Sequence, residues 1–308
     1  MVARLRGTLS LREMMIHPVR TGYLGQQDPI DPKLLPPSAE KLFPNVAVTR
    51  AFAPSPDGPI RCEVFRPEGA PQNLPMMLYF HGGGFMVGRS EDTEFLTRKM
   101  CVQNGLVVVS VNYRLAPEWP FPTGLDDCVA VYRWILEQGG TLGADTSRVV
   151  FAGDSSGSNF AVTAALRARD ADLPLPAAVV MLGPVCDFDF EQYDSFNRLA
   201  PKGIVYDAAF AGFMRGAYVS HEDWPHPHVS PVHADLRGFP PTILVVGTAD
   251  PMIDSARAFA RRLEETGNRG VELFVSERMP HGFYFFPRLF REEEEAYEAV
   301  EKFLQKHL

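Results

Sequence analysis

From about residue 46 onward, apolar positions follow two alternating rhythms. Val46 to Phe52 and Ile60 to Arg66 alternate apolar and polar residues, as paired antiparallel strands do. The turn-rich Pro54-Ser55-Pro56-Asp57-Gly58-Pro59 joins them. Met76 to Phe80 and Leu106 to Asn112 are nearly unbroken apolar runs, which predicts central strands buried on both faces. Gly124 to Gln138 switches to helical spacing, with Leu125, Val129, Tyr132 and Leu136 on one side. Further strand-like runs end at Asp154, Leu182, Val246 and Val275. From Arg291 the spacing predicts an amphipathic helix with Tyr297, Val300, Leu304 and Leu308 inward. Its acids come first and its lysines last, as the helix dipole favours, and Glu292 to Glu295 read as a solvated face.

Strand, helix and strand in repetition predict an α/β fold: a mostly parallel sheet with helices on both faces. Two stretches break the rhythm. Residues 1–45 are proline-rich and irregular, and residues 188–236 interrupt the alternation with many aromatics. The division expected is therefore a core over 46–187 and 237–308, with 1–45 and 188–236 set apart from it.

Composition narrows the classes without naming a reaction. The chain has 308 residues, 45% hydrophobic and 22% charged, enough for a full core. A net charge of −8 without any basic block argues against nucleic acid. No run approaches a membrane span, and residues 1–20 lack the apolar stretch of a signal peptide. Cys62, Cys101, Cys128 and Cys186 are widely spaced, which reads as reduced thiols in a cytoplasmic protein.

Chemistry enters with the strand ending at Asp154. It drives into Gly153-Asp154-Ser155-Ser156-Gly157, and a helical pattern follows at once. Strand, tight Gly-x-Ser-x-Gly turn and helix are the context of a nucleophile elbow, which exposes the serine hydroxyl. Upstream, Met76 to Phe80 ends in His81-Gly82-Gly83-Gly84, where backbone N–H groups can converge on a small anion. Acyl transfer needs such donors for its tetrahedral intermediate. Downstream, Asp250 and His281 each follow a strand. The order Ser155, Asp250, His281 is that of an α/β-hydrolase and differs from the trypsin-like and subtilisin-like orders.

Taken with Tyr113-Arg114-Leu115-Ala116-Pro117-Glu118 and His281-Gly282-Phe283, these motifs resemble the hormone-sensitive-lipase family, the bacterial carboxylesterases with an HGGG motif. The resemblance runs from about Met76 to the C-terminus. It implies an α/β-hydrolase fold with residues 1–45 and 188–236 forming a helical cap. It implies Ser155, Asp250 and His281 as the catalytic triad, with Gly83, Gly84 and Ser156 as the oxyanion hole. Phe85, Phe213 and Phe283 are the candidate substrate contacts. No metal or organic cofactor is expected, the partner is a small ester, and pairing of family members leaves a homodimer open. Ser156 and Ser158 depart from the family's usual Ala and Gly, and Pro251-Met252-Ile253-Asp254 departs from its Pro-Leu-Arg-Asp.

Rival readings sit beside these. His221, His226, His228 and His233 crowd the insert, but prolines break any helical ligand spacing. Arg114 and Glu118 suit local pairing that shapes a loop. Asp254 competes with Asp250, which is preferred because it follows its strand directly. An acyltransferase, an amidase, a lipase of oil interfaces or a non-catalytic binder would share much of this pattern. A short cap without an exposed apolar anchor favours short- to medium-chain, soluble esters.

Overall fold

In the computed structural model, residues 38–202, 206–286 and 290–308 are described. The expectations for residues 1–37 lie outside them. Eight strands form one sheet: β1 (Val46–Ala53), β2 (Ile60–Pro67), β3 (Leu74–Phe80), β4 (Val107–Val111), β5 (Ala144–Asp154), β6 (Ala178–Leu182), β7 (Thr242–Gly247) and β8 (Val271–Ser276). Their order is β1-β2-β4-β3-β5-β6-β7-β8. β1 pairs antiparallel with β2, and β2 with β4, while every pairing from β4 through β8 is parallel.

Among the described residues the helices are α1 (Ala39–Leu42), α2 (Glu94–Asn104), α3 (Thr123–Gln138), α4 (Ser156–Asp170), α5 (Asp194–Leu199), α6 (Ala208–Tyr218), α7 (Ile253–Glu265) and α8 (Arg291–His307). Period-two alternation sorts each central strand between two cores. Met76, Leu78 and Phe80 face one layer, with α3, α4, α7 and the insert. Met77 and Tyr79 face the other, with α2 and α8. Burial on both faces is why these strands read as unbroken apolar runs.

The chain leaves β3 for β4 on one side, then crosses back to β5 on the other. That reversal makes β3 a topological switch point, and ligands bind outside the carboxyl ends of strands there. The glycine run follows β3 and the serine turn follows β5, so both open on that crevice.

The insert carries α5, α6 and several short 3₁₀ turns. Arg215 of α6 fastens it internally. It donates to Phe188 O at 2.9 Å and pairs with Glu191 at 2.6 Å. Its guanidinium lies 4.2 Å from the Trp224 ring and 4.9 Å from that of Phe190. Such stacking suits a planar, weakly hydrated cation.

One expectation fails in α8. Glu293 does not sit on a solvated face; it is fully buried, with Lys99 Nζ 2.6 Å from its Oε1. Lys99 also lies 4.0 Å over the Tyr297 ring. The pair ties α8 to α2 across a layer that is otherwise apolar, where a lone charge would be costly. Charge patterning marks that side of the helix as polar, and only the packing of α2 shows that it is inside.

Candidate active site

Ser155 lies between β5 and α4 at φ 51, ψ −121, a strained conformation for a residue with a side chain. Its N–H donates to Leu182 O at 2.7 Å, which anchors the turn to the neighbouring strand. The flanking glycines serve close approach. A methyl group on Gly153 would meet Gly157 O at 2.2 Å, and one on Gly157 would meet Phe80 O at 2.0 Å. Ser155 itself carries the left-handed backbone, so the turn's sharpness resides in the serine.

Asp250 and His281 follow β7 and β8. Asp250 is buried, accepts from Met252 N–H at 2.9 Å on Oδ1, and places Oδ2 2.8 Å from His281 Nδ1. His281 Nε2 lies 2.9 Å from Ser155 Oγ. With the ring proton on the Asp250 side, Nε2 is left to accept the serine proton. Asp254, the rival acid, instead accepts Ser195 N–H at 2.9 Å and pairs with Arg257. Burial presses the His281 pKa down, but the charge and hydrogen bond of Asp250, with the charge of Asp154, outweigh it. The net direction is above 6.5.

The glycine run divides its labour. A methyl group on Gly82 would strike Asp154 Oδ2 at 2.1 Å, so Gly82 is small to admit that carboxylate. Gly83 and Gly84 have φ +125 and +62, which side chains avoid. Ser156 opens α4, where backbone N–H groups lack intrahelical acceptors and the dipole favours negative charge.

Two further side chains, Asp154 and Tyr113, support this loop. Asp154, the x of the elbow, accepts from Tyr79 O–H at 2.6 Å and from Gly82 N–H at 2.9 Å. Burial raises its pKa to about 6, against those two hydrogen bonds and the nearby His281. Tyr113 donates to His81 O at 2.5 Å and stacks on the His81 ring, centroids 4.3 Å apart. Burial lowers the His81 pKa to about 4, keeping that ring neutral in neutral solution. Tyr113 lay in plain view, inside a run where Arg114 drew the attention. Arg114 holds its loop through Asp127 at 2.7 Å and Asp57 at 2.9 Å, while Glu118 is exposed.

The candidate substrate contacts land elsewhere. Phe85 is buried, stacked on Tyr218 at 3.9 Å and edge-on to Phe160. Phe213 is 63% exposed on α6. Phe283 is buried with α2 and α8, in the layer away from the insert. The side chains that do lie against His281 and the glycine run are Tyr206, Phe210 and Met214. Tyr206 sits 5.3 Å from the His281 ring, centroid to centroid. A methyl group on Gly84 would meet Phe210 Cζ at 2.8 Å and Met214 Cγ at 3.2 Å. The insert's aromatics are visible in the sequence, but Met214 does not stand out there, and which face turns inward is not legible.

The four histidines of the insert do not converge on one point, although His226 Nδ1 accepts the His228 N–H at 3.1 Å. His221 packs on Trp224, His226 on Phe121, His228 faces Asp170 and His233 faces Asp187. Among the described residues no cluster of three or more His, Cys, Asp or Glu side chains is placed to hold a metal ion. All four cysteines are buried free thiols, and no described helix is long and apolar enough to cross a membrane.

Residues 77–285 match the family described as alpha/beta hydrolase fold. The chain is 36% identical over 234 residues to carboxylesterase NlhH of Mycobacterium tuberculosis, covering 75% of this chain and 72% of that protein. It is 36% identical over 236 residues to lipase 2 of Moraxella sp. (strain TA144), covering 67% of this chain but only 54% of that protein. Among solved structures, an esterase from Pyrobaculum calidifontis superposes with a TM-score of 0.81 at 30% identity, covering 84% of this chain and 85% of that one.

Proposed function

This chain belongs to the α/β-hydrolase carboxylesterase family and is a carboxylic ester hydrolase, and we propose that it cleaves short- to medium-chain esters through Ser155, His281 and Asp250. One observation carries the reading. A single buried imidazole lies 2.8 Å from a carboxylate on one side and 2.9 Å from a strained, half-buried serine on the other.

His281 takes the Ser155 proton as Oγ attacks the ester carbonyl, and returns it to the leaving alcohol. Asp250 fixes the imidazole tautomer and stabilises the transient imidazolium. N–H groups of Gly83, Gly84 and Ser156 stabilise the oxyanion, each worth about 3 kcal/mol in the barrier. Water then attacks the acyl-enzyme by the same route in reverse.

Tyr206, Phe210 and Met214 support the limit on chain length, because they crowd the Gly84 and His281 side of the crevice. Initial rates on p-nitrophenyl esters from acetate to palmitate test the whole reading. The expected profile is a Ser155-dependent maximum at short or medium acyl chains. Phe210→Ala is expected to move that maximum toward longer chains by at least two carbons, while palmitate stays poor. A maximum at palmitate in the wild type, or no Ser155-dependent turnover, would remove the proposal and direct attention to amides and other acyl acceptors.

The pH profile follows from His281. The base works only when neutral, and its pKa lies above 6.5. The kcat/KM profile is therefore expected to be level at alkaline pH and to fall on acidification, with its midpoint above 6.5. A rate measured between about pH 5 and 8 that stays constant would count against His281 as the base.

A further inference from the structure

We propose that Tyr284 is a positioning residue that sets the alignment of His281 on Ser155; this rests on the hydrolase reading above. Tyr284 lies three residues beyond His281 in the same short turn and is buried. Its ring packs between those of Phe283 and Phe285. Its hydroxyl reaches away from this turn and donates to Leu182 O at 3.1 Å. That carbonyl also accepts the N–H of Ser155 at 2.7 Å. One acceptor, at the end of β6, thus receives a donor from the serine turn and a donor from the histidine turn.

Gly183 shows how tight this junction is. It has φ +60, and its N–H is fixed to Val245 O at 2.9 Å. A methyl group there would meet Tyr284 Oη at 2.4 Å, His281 Cε1 at 3.0 Å and His281 Nδ1 at 3.3 Å. The tyrosine hydroxyl and the edge of the catalytic imidazole therefore lie over the same backbone atom. From behind, the Tyr297 hydroxyl on α8 donates to Tyr284 O at 3.2 Å. The line runs from α8 through Tyr297 and Tyr284 to Leu182, and from Leu182 to Ser155.

The consequence is geometric. Ser155 and His281 come from turns after different strands, β5 and β8, with β6 and β7 between them. Asp250 orients the imidazole through one hydrogen bond, which does not by itself set the height of the turn that carries it. Tyr284 fixes the height of the histidine turn against the carbonyl that fixes the serine turn. Misplacing a reacting group by about 1 Å can cost about a hundredfold in rate.

Tyr284→Phe removes the hydroxyl and keeps the ring, so the core stays filled. Its kcat for p-nitrophenyl acetate is expected to fall by about ten- to a hundredfold, with KM within about twofold because the ester's own contacts remain. Second-order labelling of Ser155 by a fluorophosphonate should fall in parallel, since it needs the same Ser–His alignment. Tyr297→Phe, which loosens Tyr284 from behind, should lower both rates in the same direction but less. The thermal midpoint of each variant checks that the fold is retained. Unchanged kcat and labelling in a folded Tyr284→Phe would overturn the assignment, as would a change confined to KM. If Tyr284→Phe does not fold, an unchanged labelling rate in Tyr297→Phe overturns it. Labelling also separates the two proposals. A wild type that labels at Ser155 but hydrolyses no ester ends the ester reading, while the effect of Tyr284 on labelling remains measurable.

Discussion

Replacing Ser155 by Ala is expected to lower kcat for an activated ester by on the order of a millionfold, about 8 kcal/mol of barrier. The size reflects the group that the substitution removes. Alanine keeps Cβ and can occupy the same strained φ 51 turn, whose N–H stays on Leu182 O. Gly153 and Gly157 still pack against their carbonyl neighbours. Only the nucleophile is lost, so the thermal midpoint should shift little. Because serine and histidine act as a unit, His281→Ala should cost nearly as much, and the double variant barely more than either. The residual rate comes from the oxyanion donors and binding alone. Steady-state rates on separately prepared proteins, with intact mass after fluorophosphonate treatment, make the measurement. Alanine-variant turnover within about tenfold of wild type would remove Ser155 from the chemistry, whatever the family resemblance implies.

The sequence made the strands that deliver the site legible because they are buried on both faces. Met76 to Phe80 reads as a central strand and the run to Asp154 as strand-like, and each leads directly into a glycine-flanked turn. Local order of that kind survives in one dimension. The roles of individual glycines do not. Gly82 is small for the sake of Asp154, and Gly157 for the Phe80 carbonyl, contacts between segments about 70 residues apart. The same blindness hid Glu293, whose helical position looks solvated until α2 packs over it.

The aromatic residues show the limit more sharply. Phe283 sits two residues from His281 and invited a role in binding, yet its side chain turns into the layer beneath the sheet. Tyr284, one residue on, packs in the same layer, yet its hydroxyl reaches the Leu182 carbonyl that also holds the Ser155 N–H. The two rings share a layer and differ in what their ends touch, which no period in the sequence tells. In the insert, Phe210 and Phe213 differ by three positions on α6. One meets the glycine loop and the other is 63% exposed. Helical spacing puts them near the same side, and the tilt of α6 over the crevice decides between them.

Asp250→Asn is expected to lower the alkaline plateau of kcat by about ten-thousandfold, as in the serine-hydrolase template. The wild-type carboxylate accepts from Met252 N–H through Oδ1 and faces His281 Nδ1 through Oδ2, so both oxygens are committed as acceptors. An amide has one acceptor oxygen. If that oxygen keeps Met252, the amide NH₂ confronts Nδ1 and favours the tautomer that protonates Nε2, which cannot take the serine proton. The acid limb should move as well. Burial pushes the His281 pKa down and the Asp250 charge is the leading force against it. Removing that charge shifts the midpoint to lower pH, so plateau and midpoint fall together. A fold defect alone would lower activity without moving the limb in this direction. Asp254→Asn supplies the contrast, because Asp254 holds Ser195 N–H and Arg257 away from the imidazole. Its kcat and acid limb should stay close to wild type. If instead Asp254→Asn lost the plateau and Asp250→Asn kept it, the acid would have to be reassigned despite the 2.8 Å contact.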